Sequence, residues 1–157
     1  MKELFPLNVG ISKIRGMLKI IKENGGSMEL SRLSSYSEED IGDLLLLIEA
    51  TNLLNLSKVK NTTIILTEKG KSLTLANSSK LLRDEIIKIE PFKSVLTAVS
   101  KERMTTTDIS DYLQSKKIIF HADEKTNVLL LKNLLLNWCI RTKMLKYNSK
   151  KDLWCAF

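Results

Sequence analysis

The sequence predicts a mainly helical protein of two winged helix-turn-helix modules, each with a small β-hairpin, joined by a helical connector. Three observations carry that expectation. From Glu38 to Gly70 the pattern runs helix, strand, turn, strand, then the start of another helix. Residues 12–35 supply the helices that precede such a stretch in a helix-turn-helix. Residues 92–157 repeat the same order of elements, in pattern though not in letters. The expected boundaries are 1–78 for the first module, 79–91 for the connector and 92–157 for the second module.

Residues 1–11 read as an extended lead-in, because Pro6 and Gly10 discourage a helix. Ser12 is the expected cap of a helix through Asn24, with Ile14, Met17, Leu18 and Ile21 inward and Lys13, Arg15, Lys19 and Lys22 outward. Gly16 costs that helix about 1 kcal/mol against alanine, which points to a close helix contact. Asn24-Gly25-Gly26 stops it. Ser27 to Glu29 reads as a one-step strand, and Leu30 to Ser35 as a short helix.

Ser37-Glu38-Glu39-Asp40 then gives a cap and an acidic first turn, which suits the positive end of a helix dipole. Ile41, Leu44, Leu45 and Ile48 fall at i, i+3, i+4 and i+7, the stripe of a helix packed on a core. Strands Leu54–Val59 and Thr62–Leu66 follow, hinged at Lys60-Asn61. Thr67 caps a helix from Glu68 to about Ala76, and Lys80 to Ile89 reads as an amphipathic connector with Leu81, Leu82, Ile86 and Ile89 on its apolar side. Pro91 fits the first turn of a helix Phe92–Lys101. A strand position at Met104 comes next, then helices Asp108–Lys116 and Lys125–Met144. Strands Leu145–Tyr147 and Leu153–Phe157 close the chain.

A length of 157 residues with 43% apolar and 27% charged side chains suits a globular protein with a real core. The net charge of +7 is uneven: +2 over residues 1–80 (11 basic, 9 acidic) and +5 over 81–157 (14 basic, 9 acidic). Such an excess favours anionic partners and solubility alike. Met1 to Gly10 lacks a signal peptide's charged start and long apolar run, and no apolar stretch reaches the ~20 residues that span a bilayer, so a cytoplasmic location without membrane insertion is expected. Cys139 and Cys155 sit among apolar residues and read as buried thiols.

Catalytic chemistry finds little to stand on. Gly70-Lys71-Ser72 resembles the end of a phosphate-binding loop, but position 65 is Ile65 where that loop needs glycine. His121 is the only histidine, flanked by Phe120 and close to Asp123, and no Cys/His cluster has metal-ligand spacing. Glu38, Glu39, Asp40 and Asp43 read as a solvated helix start rather than a metal site. No catalytic residue, cofactor, metal or small-molecule ligand is therefore expected.

Two non-enzymatic readings are left. Double-stranded DNA would meet the second module through Lys125, Lys132, Lys146, Lys150 and Lys151 at phosphates, with Asn127 as a base reader. The same use of the first module is opposed by its acidic helix start. A protein partner, or a second copy in a homodimer, would instead meet the third helix of each module. Those helices are apolar beyond one stripe, at Leu46 and Leu47 in the first and at Leu129, Leu130 and Leu136 in the second. Packing within the monomer explains the same leucines equally well.

Pro6-Leu7 ahead of a helix, Gly25-Gly26 with Leu30 and Leu33, the Leu44 to Leu54 run and Leu66-Thr67-Glu68-Lys69-Gly70-Lys71 together resemble the AAA-associated C-terminal domain. That domain follows the ATPase module in some ABC transporters of the nitrate/sulfonate/taurine type and also occurs free-standing. The resemblance covers the chain from about Pro6 onward. It implies a non-catalytic, regulatory partner of an ABC-type ATPase and brings no catalytic or ligand-binding residues with it. The chain lacks the ATPase of the fused form, and a start at Met1 favours a free-standing member. Its Lys-rich second hairpin does not follow from the resemblance.

Overall fold

The structure, a computed structural model, describes residues 3–157, so the first two residues of the expected lead-in lie outside it. The chain is mainly helical with small antiparallel sheets. It divides into two compact units. One is Asn8–Ser78; the other combines the segment ending at Leu7 with Ser79–Phe157.

The first unit contains α1 (Ile11–Glu23), β1 (Ser27–Glu29), α2 (Leu30–Tyr36), α3 (Ile41–Leu53), β2 (Ser57–Lys60), β3 (Thr63–Leu66) and α4 (Glu68–Ser72). Helix α1 buries Ile14, Met17, Leu18 and Ile21, the four residues its periodicity selects. It begins one residue before the expected Ser12 cap. Gly10 takes the cap position and no side chain caps the helix. Gly16 makes no close helix contact, since a methyl group placed there would meet nothing within 4 Å. Gly25 and Gly26 end the helix with φ of 91° and 89°, and the Gly26 N–H reaches back to the Ile21 carbonyl at 2.9 Å.

Strand β3 lies between β1 and β2 and is antiparallel to both. Met28 of β1 faces Ile64 of β3, and both are buried. The turn falls one residue later than expected, at Asn61-Thr62, because Lys60 still pairs with Thr63. Asn61 takes φ 59°, which asparagine tolerates better than most residues.

Helix α3 starts at Ile41 rather than Glu38, with the Asp40 carboxylate accepting from the Asp43 N–H at 2.9 Å. Its buried line is Leu44, Leu47, Ile48 and Thr51. Ile41 and Leu45, expected inside, are 53% and 49% exposed. The continuous apolar run does not fix which side is inward, and the inward side carries one polar residue: Thr51 bonds the Ile48 carbonyl (3.0 Å) and the Ser57 hydroxyl (2.8 Å), so hydrogen bonding allows it to be buried. Helix α4 stops at Ser72, four residues short of expectation. There the Asn77 amide donates to the Ser72 carbonyl (2.8 Å) and accepts from the Thr74 N–H (2.7 Å), offering the backbone a turn in place of helix.

In the second unit, α5 (Ser78–Ile86) precedes α6 (Phe92–Lys101), α7 (Thr106–Ser115) and α8 (Glu124–Leu135). Helix α8 widens into a π-helical turn, Leu136–Ile140, before β4 (Leu145–Asn148) and β5 (Leu153–Ala156). The expected helix to Met144 therefore ends early. Helix α5, read from the sequence as a connector, is held within this unit: Ser79 Oγ donates to the Arg141 carbonyl (3.0 Å) and Arg83 to that of Thr142 (3.2 Å). Leu82 and Ile86 are buried, while Leu81 and Ile89 are half-buried. A capping box between Thr105 and Asp108 starts α7. Met104 exchanges two backbone hydrogen bonds with Trp154, a one-residue third strand beside β5.

The core of this unit is aromatic. Trp138, Trp154 and Phe92 are fully buried, and so is Phe5 from the lead segment. The Phe5 N–H donates to the Glu90 carbonyl at 2.8 Å. Its ring stands edge-on to Phe92 (centroids 5.5 Å apart) and to Trp138 (4.7 Å).

Candidate interaction surfaces

Among the described residues no cluster of three or more His, Cys, Asp or Glu could hold a metal. The exposed His121 uses Nδ1 to accept from the Asp123 N–H at 2.9 Å. Both cysteines are free; Cys139 is buried, and burial pushes its thiol far above the ordinary range.

The β4–β5 hairpin carries most of the candidate basic residues. Its tip is an Asx turn, with Asn148 Oδ1 accepting from the Lys150 and Lys151 N–H groups at 3.1 and 3.2 Å. That leaves the Lys150 and Lys151 side chains exposed. Asp152 anchors the tip through three hydrogen bonds, from the Thr106 N–H (3.2 Å), the Thr106 hydroxyl (2.7 Å) and the Tyr147 hydroxyl (2.8 Å). The Trp154 indole donates to the same Thr106 hydroxyl at 2.9 Å. Partial burial pushes the Asp152 carboxyl up, but the Thr106 and Tyr147 hydrogen bonds outweigh it and hold the group below the usual carboxylate range.

Asp152→Ala strands these donors and is expected to cost about 1–3 kcal/mol at neutral pH. A depressed carboxylate stabilises the fold above the unfolded-state pKa and loses that contribution as pH falls through the folded value. Urea unfolding of wild type and variant should therefore give midpoints that converge below about pH 4.

The basic candidates do not form one face. Tyr147 pairs directly with Trp154, centroids 4.2 Å apart, and Lys132 lies over the Tyr147 ring at 5.5 Å. Lys146 is the next residue along β4, so it points to the opposite face of the ribbon, where it covers Phe157 at 5.0 Å. Lys125 is exposed two turns before Lys132 on α8.

Asn127 is not at the surface. It is 2% exposed. Its carbonyl oxygen accepts from the Phe120 N–H (2.6 Å) and the His121 N–H (3.1 Å), and its amide donates to Ser110 (3.1 Å). Its hydrogen-bonding groups join α8 to α7 and to the loop between them, so none faces outward for a base. Asn127→Ala leaves two backbone donors without their acceptor. It is expected to lower stability by about 2 kcal/mol or more, read as a fall in urea midpoint with unchanged slope.

The leucine candidates divide similarly. Leu47 is buried at 3% exposure, Leu46, Leu130 and Leu136 are half-buried, and Leu129 is 56% exposed. Ile41 and Leu45, near the α3 start, are exposed apolar residues that the sequence does not mark as surface, and Tyr36 at the end of α2 is 56% exposed. Around that start Glu39 pairs with Lys13 at 3.0 Å, Asp40 caps α3, and Glu38 and Asp43 are exposed.

The family model of the C-terminal AAA-associated domain matches residues 31–148, about three quarters of the chain and parts of both units. The chain belongs to that family. Comparison with curated proteins and with solved structures gave no match. As a C-terminal AAA-associated domain protein, the chain is of an accessory kind, and the family's description ties it to AAA-type ATPases. Among the described residues, no helix is long and apolar enough to cross a membrane.

Proposed function

We propose that this protein is a non-catalytic regulatory module that binds an ABC-type ATPase through protein surfaces. The observation that carries this is the family match, which runs from α2 to the end of β4 and so takes in both units. Each unit is read as a winged helix-turn-helix. Helix, short strand, short helix, long helix and hairpin follow in that order in the first, and Met104 with β5 and β4 gives the second a reduced version of the same sheet. The acidic start of α3 next to Ile41 and Leu45 suits a protein partner better than a phosphate backbone. In the second unit Leu129, with the half-buried Leu130 and Leu136, offers further apolar contact to an ATPase or to a second copy, as does the half-buried Leu46 in the first. The site of action on this reading is the cytoplasm.

The test is co-expression with an ABC-type ATPase subunit of the nitrate/sulfonate/taurine import type, followed by gel filtration and an ATP-hydrolysis assay. A stable complex with an altered turnover rate is expected. Co-migration absent at micromolar concentrations, with turnover unchanged, would sink the proposal.

Double-stranded DNA is the second reading, favoured by the exposed Lys125, Lys146, Lys150 and Lys151. Anisotropy with a mixed-sequence duplex at ~50 and ~200 mM salt decides it. Steeply salt-dependent binding that disappears in Lys150→Glu/Lys151→Glu would support it. No binding at the lower salt would exclude it.

A further inference from the structure

Helix α1 and the segment Gly70–Leu75 enclose an open cleft of about 360 Å³ within the first unit. Its apolar surface comes from Leu75, 74% exposed, and the half-buried Leu73; Leu18 also lines it but is buried in the core. Its rim is cationic: Arg15, Lys19 and Lys22 follow one another at four- and three-residue spacing, which places them along one side of α1. No carboxylate lines the cleft. Lys19 meets Glu23 only at 3.9 Å in solvent, and Arg15 and Lys22 form no ion pair among the described residues. Gly16 also lines the cleft. A glycine inside a helix weakens it, and here no neighbour requires one, since a methyl group would meet nothing within 4 Å. A side chain added at this position would extend from the cleft's lining.

We propose that this cleft docks an acidic segment of a partner protein, one whose carboxylates alternate with apolar side chains. The carboxylates meet Arg15, Lys19 and Lys22, and the apolar groups cover Leu73 and Leu75. Charge complementarity selects the sign of the partner. The exposed Leu75 and the half-buried Leu73 select a peptide over a nucleic-acid backbone, whose phosphates gain nothing from them. A small anion is disfavoured too, because the charged groups sit on an open rim and none converges from a buried wall. The inference rests on the interaction-module reading above and adds to it the chemistry of the contacting segment.

The probe is a fluorescein-labelled peptide of about twelve residues alternating Glu with Leu and Phe, titrated with the full chain by anisotropy. Expected is binding that weakens several-fold between ~50 and ~200 mM salt and is absent for the same peptide with Lys in place of Glu. Arg15→Glu/Lys22→Glu should weaken it at least about ten-fold. Gly16→Leu should do the same by filling the cleft, with an undiminished melting temperature showing that the fold is intact. Failure of the acidic peptide to bind overturns the proposal, as does binding indifferent to Gly16→Leu. So does a mixed-sequence duplex that binds the wild type and loses affinity in Arg15→Glu/Lys22→Glu but not in Leu75→Ser, the pattern of phosphate recognition. A chain that binds the ATPase but not the peptide loses the cleft and keeps the module reading; the reverse result separates them the other way.

Discussion

A chain with alanine at Gly70 is expected to lose about 3 kcal/mol or more of stability, large for the addition of one methyl group. The methyl would overlap the backbone carbonyl of Leu56. That carbonyl cannot simply move aside. It accepts from the Thr67 N–H at 3.0 Å, while the Thr67 hydroxyl donates to the Asn55 carbonyl at 2.6 Å and accepts from the Gly70 N–H at 3.1 Å. Relief of the overlap therefore pulls on both sides of a cross-connected clamp that fastens α4 to the entry of β2. Gly16→Ala is the matched comparison, since it too adds a methyl to a helical glycine of the same unit. There the space is open, and a gain of about 0.5–1 kcal/mol is expected from helix propensity alone. Urea unfolding of the two variants should give midpoints on opposite sides of wild type. A Gly70→Ala midpoint equal to that of wild type would mean that the close approach does not exist in solution.

Phe5→Ala is the second large effect, expected to cost about 3–5 kcal/mol. The ring is 1% exposed and is the shared edge-on partner of Phe92 and Trp138, so its removal opens a cavity beside two other aromatic rings. The damage should fall on the second unit, although Phe5 precedes the first in the chain. Near-ultraviolet circular dichroism from Trp138 should collapse, and amide protection should fall in α6 and α8 while α1 and α3 keep theirs. Equal loss of protection in both units would contradict the placement of the lead segment.

Much of the fold was legible because it depends on local periodicity. The α1 stripe, the Gly25-Gly26 stop and the two hairpins are each set by residues within a few positions of one another. Helix α3 shows where that reading fails. Leu44 to Ile48 is a continuous apolar run, and such a run does not say which side faces the core. The buried side includes the Thr51–Ser57 pair, and a polar pair reads as surface until its hydrogen bonds are known. Asn127 misled for the same reason. Its neighbours Lys125 and Lys132 mark a solvated helix face, and nothing local reveals that the loop through Phe120 and His121 returns its N–H groups to it. Sequence marks Gly16 as a packing glycine, and the structure puts it against open space; Gly70, whose only sequence signal is an incomplete phosphate-loop match, is the glycine that lies against a backbone carbonyl. The cleft beside Gly16 had a sequence signal, a glycine that no contact explains among three cations on one helix side, but its other wall comes from residues more than fifty positions away.

The lead segment also sets a clock. Phe5 leaves the ribosome roughly 130 residues before Trp138, and at typical synthesis rates that is an interval on the order of ten seconds. Throughout it an apolar ring lacks its Trp138 partner, while the intervening residues 8–78, a compact unit of their own, are already synthesised. Chaperone capture or a wrong apolar contact would find its opening in that interval, before the last helix closes over the ring.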